Sequence, residues 1–113
     1  MGNLLTFADI HRALFDSFRT QEFFSWTAQP LDYLEEHLTG NCTDRATLMQ
    51  ARCVAAGIDT EVCWVRCHAI PHLVVVELTT QLVSDQQLRT MRTKERRLDL
   101  TEWRDWEDMR REH

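Results

Sequence analysis

Three side chains that together can perform nucleophilic catalysis occur in the order Cys42, His72 and Asp85. A cysteine nucleophile needs a thiolate, an imidazole that moves the proton and a third group that orients the imidazole. Cys42 lies at the predicted start of a helix, where free backbone N–H groups and the helix dipole favour a thiolate. The same N–H groups are candidates for an oxyanion hole. Residue types and spacing alone also permit a plainer interpretation: a buried structural thiol, a core histidine and a turn residue.

The helix that would present Cys42 has clear start and stop signals. Asn41 is a good N-cap, Asp44 lies in the first turn, and Gly57 follows a predicted helix over residues 42–56. Apolar or small side chains recur at helical spacing on one face: Cys42, Ala46, Met49, Cys53 and Ala56. Cys42 should therefore point toward the layer on which this helix packs, and Cys53 should belong to the core.

After Gly57 the sequence pattern becomes typical of β-strands. Residues 60–67 alternate, residues 72–78 are rich in valine, and 82–83 form a short third strand, with Pro71 as the predicted break. Since paired strands lie about 4.8 Å apart, a residue that starts one strand can stand beside one that ends its hairpin partner. This places His72 beside Asp85, and helix 42–56 packed on the sheet would bring Cys42 to the same end.

The rest of the chain supplies further elements. Thr6 should cap a helix that runs to about residue 19, residues 23–26 form an irregular aromatic segment, and Pro30 begins a short helix over 30–38. Helices followed by an antiparallel run of strands indicate an α+β fold. With 113 residues, the chain should form one domain, residues 1–113.

The C-terminal third gives weaker signals. The basic run over 88–97 is interpreted as a solvated face or, alternatively, a patch for an acidic partner. Asp99 with Glu102 could cap a last helix that places Trp103, Trp106 and Met109 on one face. That face would dock on the domain's own core or else, through Trp103 and Trp106, bind a partner or form a homodimer.

Composition excludes several classes of function. A formal net charge of -5 argues against nucleic-acid binding, and no apolar run approaches the roughly 20 residues that span a membrane. Residues 1–5 lack the basic start and long apolar stretch of a secretion signal, so a cytoplasmic location is expected.

The remaining cysteines and histidines are interpreted as structural. Cys63 and Cys67, with His68 and His72, resemble a zinc ligand set. In a strand, however, Cys63 and Cys67 would be about 13 Å apart, which disfavours a shared zinc ion. We therefore predict reduced thiols and no metal or other cofactor. Two further histidines, His11 and His37, are expected at the surface.

The local sequence around the site resembles that of a known family. The segments GNCTDRATLMQARCVAAGI and PHLVVVELTTQLVSDQQL resemble the transglutaminase-like cysteine proteinases of bacteria, over roughly residues 37–90. The resemblance implies a papain-like, transglutaminase-like core in which N-terminal helices pack on a small antiparallel sheet. It assigns the nucleophile to Cys42, the base to His72 and the orienting acid to Asp85, with a protein or peptide substrate.

Some positions depart from the family pattern. Acidic residues commonly flank the family's cysteine and help bind calcium in adhesin-cleaving members, but here the flanking residues are Asn41 and Thr43. Gln86 stands where the family has asparagine. We therefore expect a cysteine peptidase-like hydrolase without calcium. The alternative is a non-catalytic protein-binding module that keeps the fold.

Overall fold

Within residues 4–113, five antiparallel strands form the sheet on which the helices pack. The computed structural model describes residues 4–113; residues 1–3, part of the segment predicted not to be a secretion signal, lie outside it. The helices are α1 (Phe7–Ser17), α2 (Leu31–His37), α3 (Cys42–Ala55) and α4 (Trp106–Glu112). The strands are β1 (Arg19–Thr20), β2 (Thr39–Gly40), β3 (Thr60–Cys67), β4 (Ile70–Glu77), β5 (Leu82–Asp85), β6 (Leu88–Thr93) and β7 (Leu100–Asp105). The five-stranded sheet has the order β6-β5-β4-β3-β7. None of the helices in the described range is long and apolar enough to cross a membrane.

The main core lies between the helices and one face of the sheet. Alternate residues of β3 and β4 supply that face: Val62, Trp64, Leu73 and Val75. All four helices contribute buried side chains to the same cluster, Cys42 and Cys53 of α3 among them. The opposite face of the sheet carries a second, smaller cluster that includes Cys63, Val65, Val74, Val76, Val83 and Leu100. The predicted α+β class and the core position of Cys53 are confirmed.

The turn between β3 and β4 differs from the prediction. Pro71 was expected to separate the two strands, but it lies inside β4 and pairs with Arg66. The reversal occurs at His68 and Ala69, which both have positive φ angles of 51° and 70°. A two-residue loop with two positive φ angles matches the twist of a β-hairpin, so the strands continue to the very edge of the turn.

The predicted start of the last helix, with Asp99 as its cap, was wrong. Residues 88–93 form β6, and residues 100–105 form β7 rather than the start of a last helix. Without β7, the outer edge of β3 would expose unpaired backbone N–H and C=O groups. Pairing these groups outweighs the local tendency of Asp99 to cap a helix. The last helix begins at Trp106, and Asp105 is its N-cap.

Trp103 and Trp106 consequently do not share a helix face. Trp103 lies in β7 and packs against the second cluster, whereas Trp106 is buried in the main core. Trp106 stacks on Trp26 with ring centroids 5.7 Å apart. A dimer through these two residues stays a prediction.

The residue before the N-cap of α3 must be glycine for steric reasons. A Cβ built on Gly40 would lie 2.6 Å from Cβ of Asp44 and closer still to its Oδ2. We expect Gly40→Ala to lower the free energy of unfolding by about 2–4 kcal/mol, since it adds a clash to an unfavourable φ. Gly57→Ala is the control: Gly57 also has positive φ, 73°, but nothing lies within 4 Å of its would-be Cβ. Urea unfolding that gave equal losses for the two variants would contradict the steric explanation.

Candidate active site

The start of α3 fixes Cys42 at one end of the helix. The Asn41 side chain accepts a hydrogen bond from the Asp44 N–H at 3.0 Å, and Asp44 Oδ2 accepts one from the Asn41 N–H, also at 3.0 Å. This reciprocal capping box satisfies two backbone donors at the helix start. Cys42 is the first residue of α3, and its thiol contributes to the edge of the main core. The predicted helix is thus confirmed, together with its N-cap.

The irregular aromatic segment is fastened to the same helix start. The Thr43 hydroxyl donates to the Ser25 carbonyl at 2.6 Å, and the Gln29 N–H donates to Asp44 Oδ1 at 2.8 Å. Phe24 packs on the main core and makes an edge-to-face contact with Trp26. These bonds hold the segment over the N-terminus of α3, where it forms one wall of a cleft.

Cys42 and His72 line this cleft together. Its volume is about 480 Å³. The apolar part of the lining is Phe23, Phe24, Ile70 and Pro71, and the polar part is Gln21, Glu22, Gln86 and Gln87. The cleft therefore brings the thiol and the imidazole to one solvent-accessible place between the aromatic segment and the β3–β4 hairpin.

Strand pairing brings Asp85 to His72. β4 and β5 pair through Val75 with Ser84 and Val76 with Val83, which carries the end of β5 toward the start of β4. His72 Nε2 and Asp85 Oδ1 are 2.8 Å apart, and their side chains are 5% and 0% exposed. The Gln87 N–H donates to the same oxygen at 2.9 Å. Since Nε2 is engaged by Asp85, Nδ1 is the ring nitrogen left for Cys42.

Arg97 completes the surroundings of Asp85. Its Nη2 donates to Asp85 Oδ2 at 2.8 Å, and Asp99 binds the other side of the guanidinium through Nε and Nη2 at 2.9 and 2.8 Å. The basic run was predicted to be a solvated face. That holds for Arg89, Arg92 and Arg96 but is wrong for Arg97, which is buried. Nothing in the one-dimensional pattern distinguishes Arg97 from its neighbours, because the partner that holds it, Asp85, is brought beside it by the fold.

The electrostatics of the His72–Asp85 pair favour the charged form of the imidazole. Burial opposes protonation of His72, but the hydrogen bonds with Asp85 and Cys42 and the charges of both raise its pKa to about 9. Burial likewise tends to raise the pKa of Asp85, yet the hydrogen bond and charge of His72, the Gln87 N–H and Arg97 hold it well below its usual range. An imidazole held between a carboxylate and a cysteine side chain is the arrangement that cysteine nucleophiles require.

A second buried polar cluster ties α3 to β5. Arg45 Nη1 donates to the Ser84 carbonyl at 3.2 Å and Nη2 to the Ser84 hydroxyl at 2.8 Å. His11 Nδ1 lies 2.6 Å from the same hydroxyl and 3.1 Å from Arg45 Nη2. Because a guanidinium only donates, His11 Nδ1 must accept, so its Nε2–H donates to the Arg89 carbonyl.

Two sequence interpretations are affected by this cluster. His11 was expected at the surface but is 2% exposed, whereas His37 is exposed as predicted. Burial lowers the pKa of both Arg45 and His11, to about 10 for Arg45. The sequence signal for His11 was available, since it lies beside Ile10 and Leu14 on the apolar side of α1.

The other thiols differ from Cys42 in their surroundings. Burial raises the pKa of Cys53 to about 11 and that of Cys63 to about 12, and it also raises the pKa of Cys67. Cys63 and Cys67 both lie in β3, as the argument against a zinc site assumed. Among residues 4–113, no group of three or more His, Cys, Asp or Glu side chains is placed to hold a metal.

The residues around Cys42 do not fit a calcium site. Both carboxylate oxygens of Asp44 accept backbone N–H groups, and the Thr43 hydroxyl donates to a carbonyl. Calcium requires six to eight oxygen ligands, several of them carboxylates. At this helix start the side chains bind the protein's own backbone instead.

Comparison with solved structures identifies a similar fold. Calcium-bound LapG from Legionella pneumophila superposes with a TM-score of 0.72 at 15% sequence identity. The match covers 84% of this chain and 60% of the LapG chain. This chain therefore corresponds to part of the length of that protein. No family model matches the sequence, and no curated protein sequence matches it. The likeness shows that this chain shares its fold with that LapG structure.

The raised pKa of His72 predicts a pH dependence of stability. Since the folded state binds the imidazole proton more tightly than the unfolded chain, the stabilisation is complete below about pH 6.5 and is lost as pH rises through about 9. We expect the unfolding free energy of the wild type to fall over this interval and that of His72→Asn to fall much less. The control is His68→Asn, at an exposed turn position that asparagine tolerates. Equal slopes for wild type and His72→Asn would contradict the assignment, and an NMR titration of His72 gives the pKa directly.

Because both carboxylate oxygens of Asp44 accept backbone N–H groups, we predict that calcium does not change the thermal stability of the protein. A melting curve in excess calcium should match one in excess chelator within about 1 °C, because a ligand that does not bind cannot stabilise. A calcium-dependent rise of several degrees would show that the start of α3 rearranges into a metal site.

Proposed function

We propose that this protein is a cysteine peptidase-like hydrolase that cleaves a peptide or amide bond through Cys42, His72 and Asp85. The observation that carries the proposal is that an imidazole held at Nε2 by a buried carboxylate lines the same cleft as a thiol at a helix N-terminus. The fold likeness to LapG supports the proposal at the level of architecture.

The proposed reaction uses each group in turn. His72 Nδ1 takes the proton of the Cys42 thiol, and Sγ attacks the substrate carbonyl carbon. The resulting oxyanion can be stabilised by backbone N–H groups at the start of α3. The Asp44 N–H already donates to the Asn41 side chain, so the Cys42 and Thr43 N–H groups are the candidate donors. His72 then protonates the leaving amine, and water attacks the thioester with His72 again as base.

The cleft has the character of a peptide site. Phe23 and Ile70 are 56% and 65% exposed on opposite sides of it, and the polar residues beside them are glutamines and one glutamate. Exposed apolar side chains around a few polar groups suit a peptide segment better than a small charged metabolite. A protein or peptide is therefore the proposed substrate.

Alkylation of the thiols separates the proposed enzyme from a non-catalytic binding module. Cys67 is partly exposed, whereas Cys42 is 5% exposed, so accessibility alone predicts that Cys67 reacts first. We expect iodoacetamide near neutral pH to modify Cys42 first, because His72 removes its proton. His72→Ala should abolish this preference, while His68→Ala should keep it; the sites are read by peptide mass spectrometry. Faster reaction at Cys67 in the wild type would favour the binding module.

The third group of the site can be tested by two matched substitutions. Asp85→Asn should slow hydrolysis of an unfolded protein substrate by about 10²–10⁴-fold, since the imidazole loses its orienting charge. Asp99→Asn removes the other carboxylate on Arg97 but does not touch His72, so a loss below about tenfold is expected. Circular dichroism would verify that both variants fold. Loss of activity in Asp99→Asn with survival in Asp85→Asn would assign the acid to Asp99.

A further inference from the structure

The two oxygens of the Asp85 carboxylate have separate partners. Oδ1 binds His72 Nε2 and the Gln87 N–H, whereas Oδ2 binds Arg97 Nη2. Asp85 and Arg97 side chains are 0% and 1% exposed, so solvent does not share in this contact. The carboxylate is thereby held in one rotational state, with Oδ1 directed at His72.

The two cationic partners of Asp85 differ in permanence. In the proposed reaction His72 alternates between imidazolium and neutral imidazole, so it neutralises Asp85 for only part of each cycle. A buried carboxylate without a charged partner is costly and tends to take up a proton. Arg97 is always charged, and its partner Asp99 holds it from the other side, where the Asp99 side chain is 41% exposed.

Other charged or titratable groups near Asp85 do not duplicate this contact. Arg45 on α3, His11 on α1 and Cys67 on β3 interact with the charge of Asp85 over a distance. Both Nη groups of Arg45 are committed to Ser84 and His11, and His11 is hydrogen-bonded as the neutral tautomer. Within residues 4–113, Arg97 is the arginine that hydrogen-bonds the Asp85 carboxylate.

We propose that Arg97 is a positioning residue, which keeps Asp85 ionised and aimed at His72 Nε2 in both protonation states of the imidazole. This inference rests on the proposed function, but its physical content concerns the Asp85 carboxylate. It can therefore be measured without turnover.

The test compares Arg97→Met and Arg97→Lys with Arg96→Met, an exposed arginine of the same segment as the control. The carboxyl carbon resonance of Asp85 is followed by NMR over pH, and the rate of Cys42 alkylation is measured over the same range. In Arg97→Met we expect Asp85 to titrate at least about one pH unit higher than in the wild type, and the acid limb of the alkylation profile to move up with it. Arg97→Lys should return the acid limb to its wild-type pH because it restores the charge, while its plateau rate should stay below that of the wild type because a lysine does not restore the planar geometry. A folded Arg97→Met protein whose profile coincides with that of Arg96→Met would overturn the proposal.

Arg97→Lys keeps the proposal testable if Arg97→Met does not fold. A lysine cannot hold Asp85 and Asp99 in the planar geometry of a guanidinium, so Cys42 alkylation at neutral pH should be slower by about threefold or more. A wild-type rate in Arg97→Lys would then overturn the positioning role. An alkylation profile that depends on Arg97 in a protein that cleaves no peptide would keep this inference and remove the proposed function.

Discussion

The buried Asp85 carboxylate is the group around which the candidate site is arranged. It accepts hydrogen bonds from an imidazole, a backbone N–H and a guanidinium, and no part of its side chain reaches solvent. A charge in that position is tolerated only when it is hydrogen-bonded and paired with an opposite charge, so its neighbours are constrained in turn. The end of β5, the start of β4 and the chain after β6 must all meet at this point.

Helix α3, which carries Cys42, is positioned by separate contacts that agree with one another. Its start is fixed by the Asn41–Asp44 capping box and by the aromatic segment bonded to Thr43 and Asp44. One turn further along, Arg45 crosses to Ser84, the residue directly before Asp85. The arginine thus connects the helix that carries the thiol to the strand that carries the acid. Burying a guanidinium with neutral partners carries a desolvation cost, and the hydrogen bonds of Arg45 to Ser84 and His11 offset part of it.

The same features explain why the helix start does not resemble a calcium site. In this chain Asp44 uses both oxygens on backbone N–H groups, and Thr43 contributes a hydroxyl donor rather than a carboxylate. The fold likeness to calcium-bound LapG therefore extends to architecture, while the side chains beside Cys42 perform a structural task. Capping and loop anchoring give the N-terminus of α3 a defined geometry without a bound cation.

Local signals in the sequence determined the helix that begins at Cys42, strand β3 and the α+β class, because caps, stop residues and side-chain periodicity act over a few residues. The proximity of His72 and Asp85 also followed from local logic, since a short hairpin fixes which residues lie side by side. Only the tertiary structure decided the secondary structure of residues 88–105. There β7 pairs with the open edge of β3, although the local sequence favours a helix. The tertiary structure likewise decided that Arg97 is buried against Asp85 and that His11 pairs with Ser84, because these partners lie 12 and 73 positions away in the chain. Pairings over such distances depend on how the whole sheet closes, and no pattern within a short segment records them.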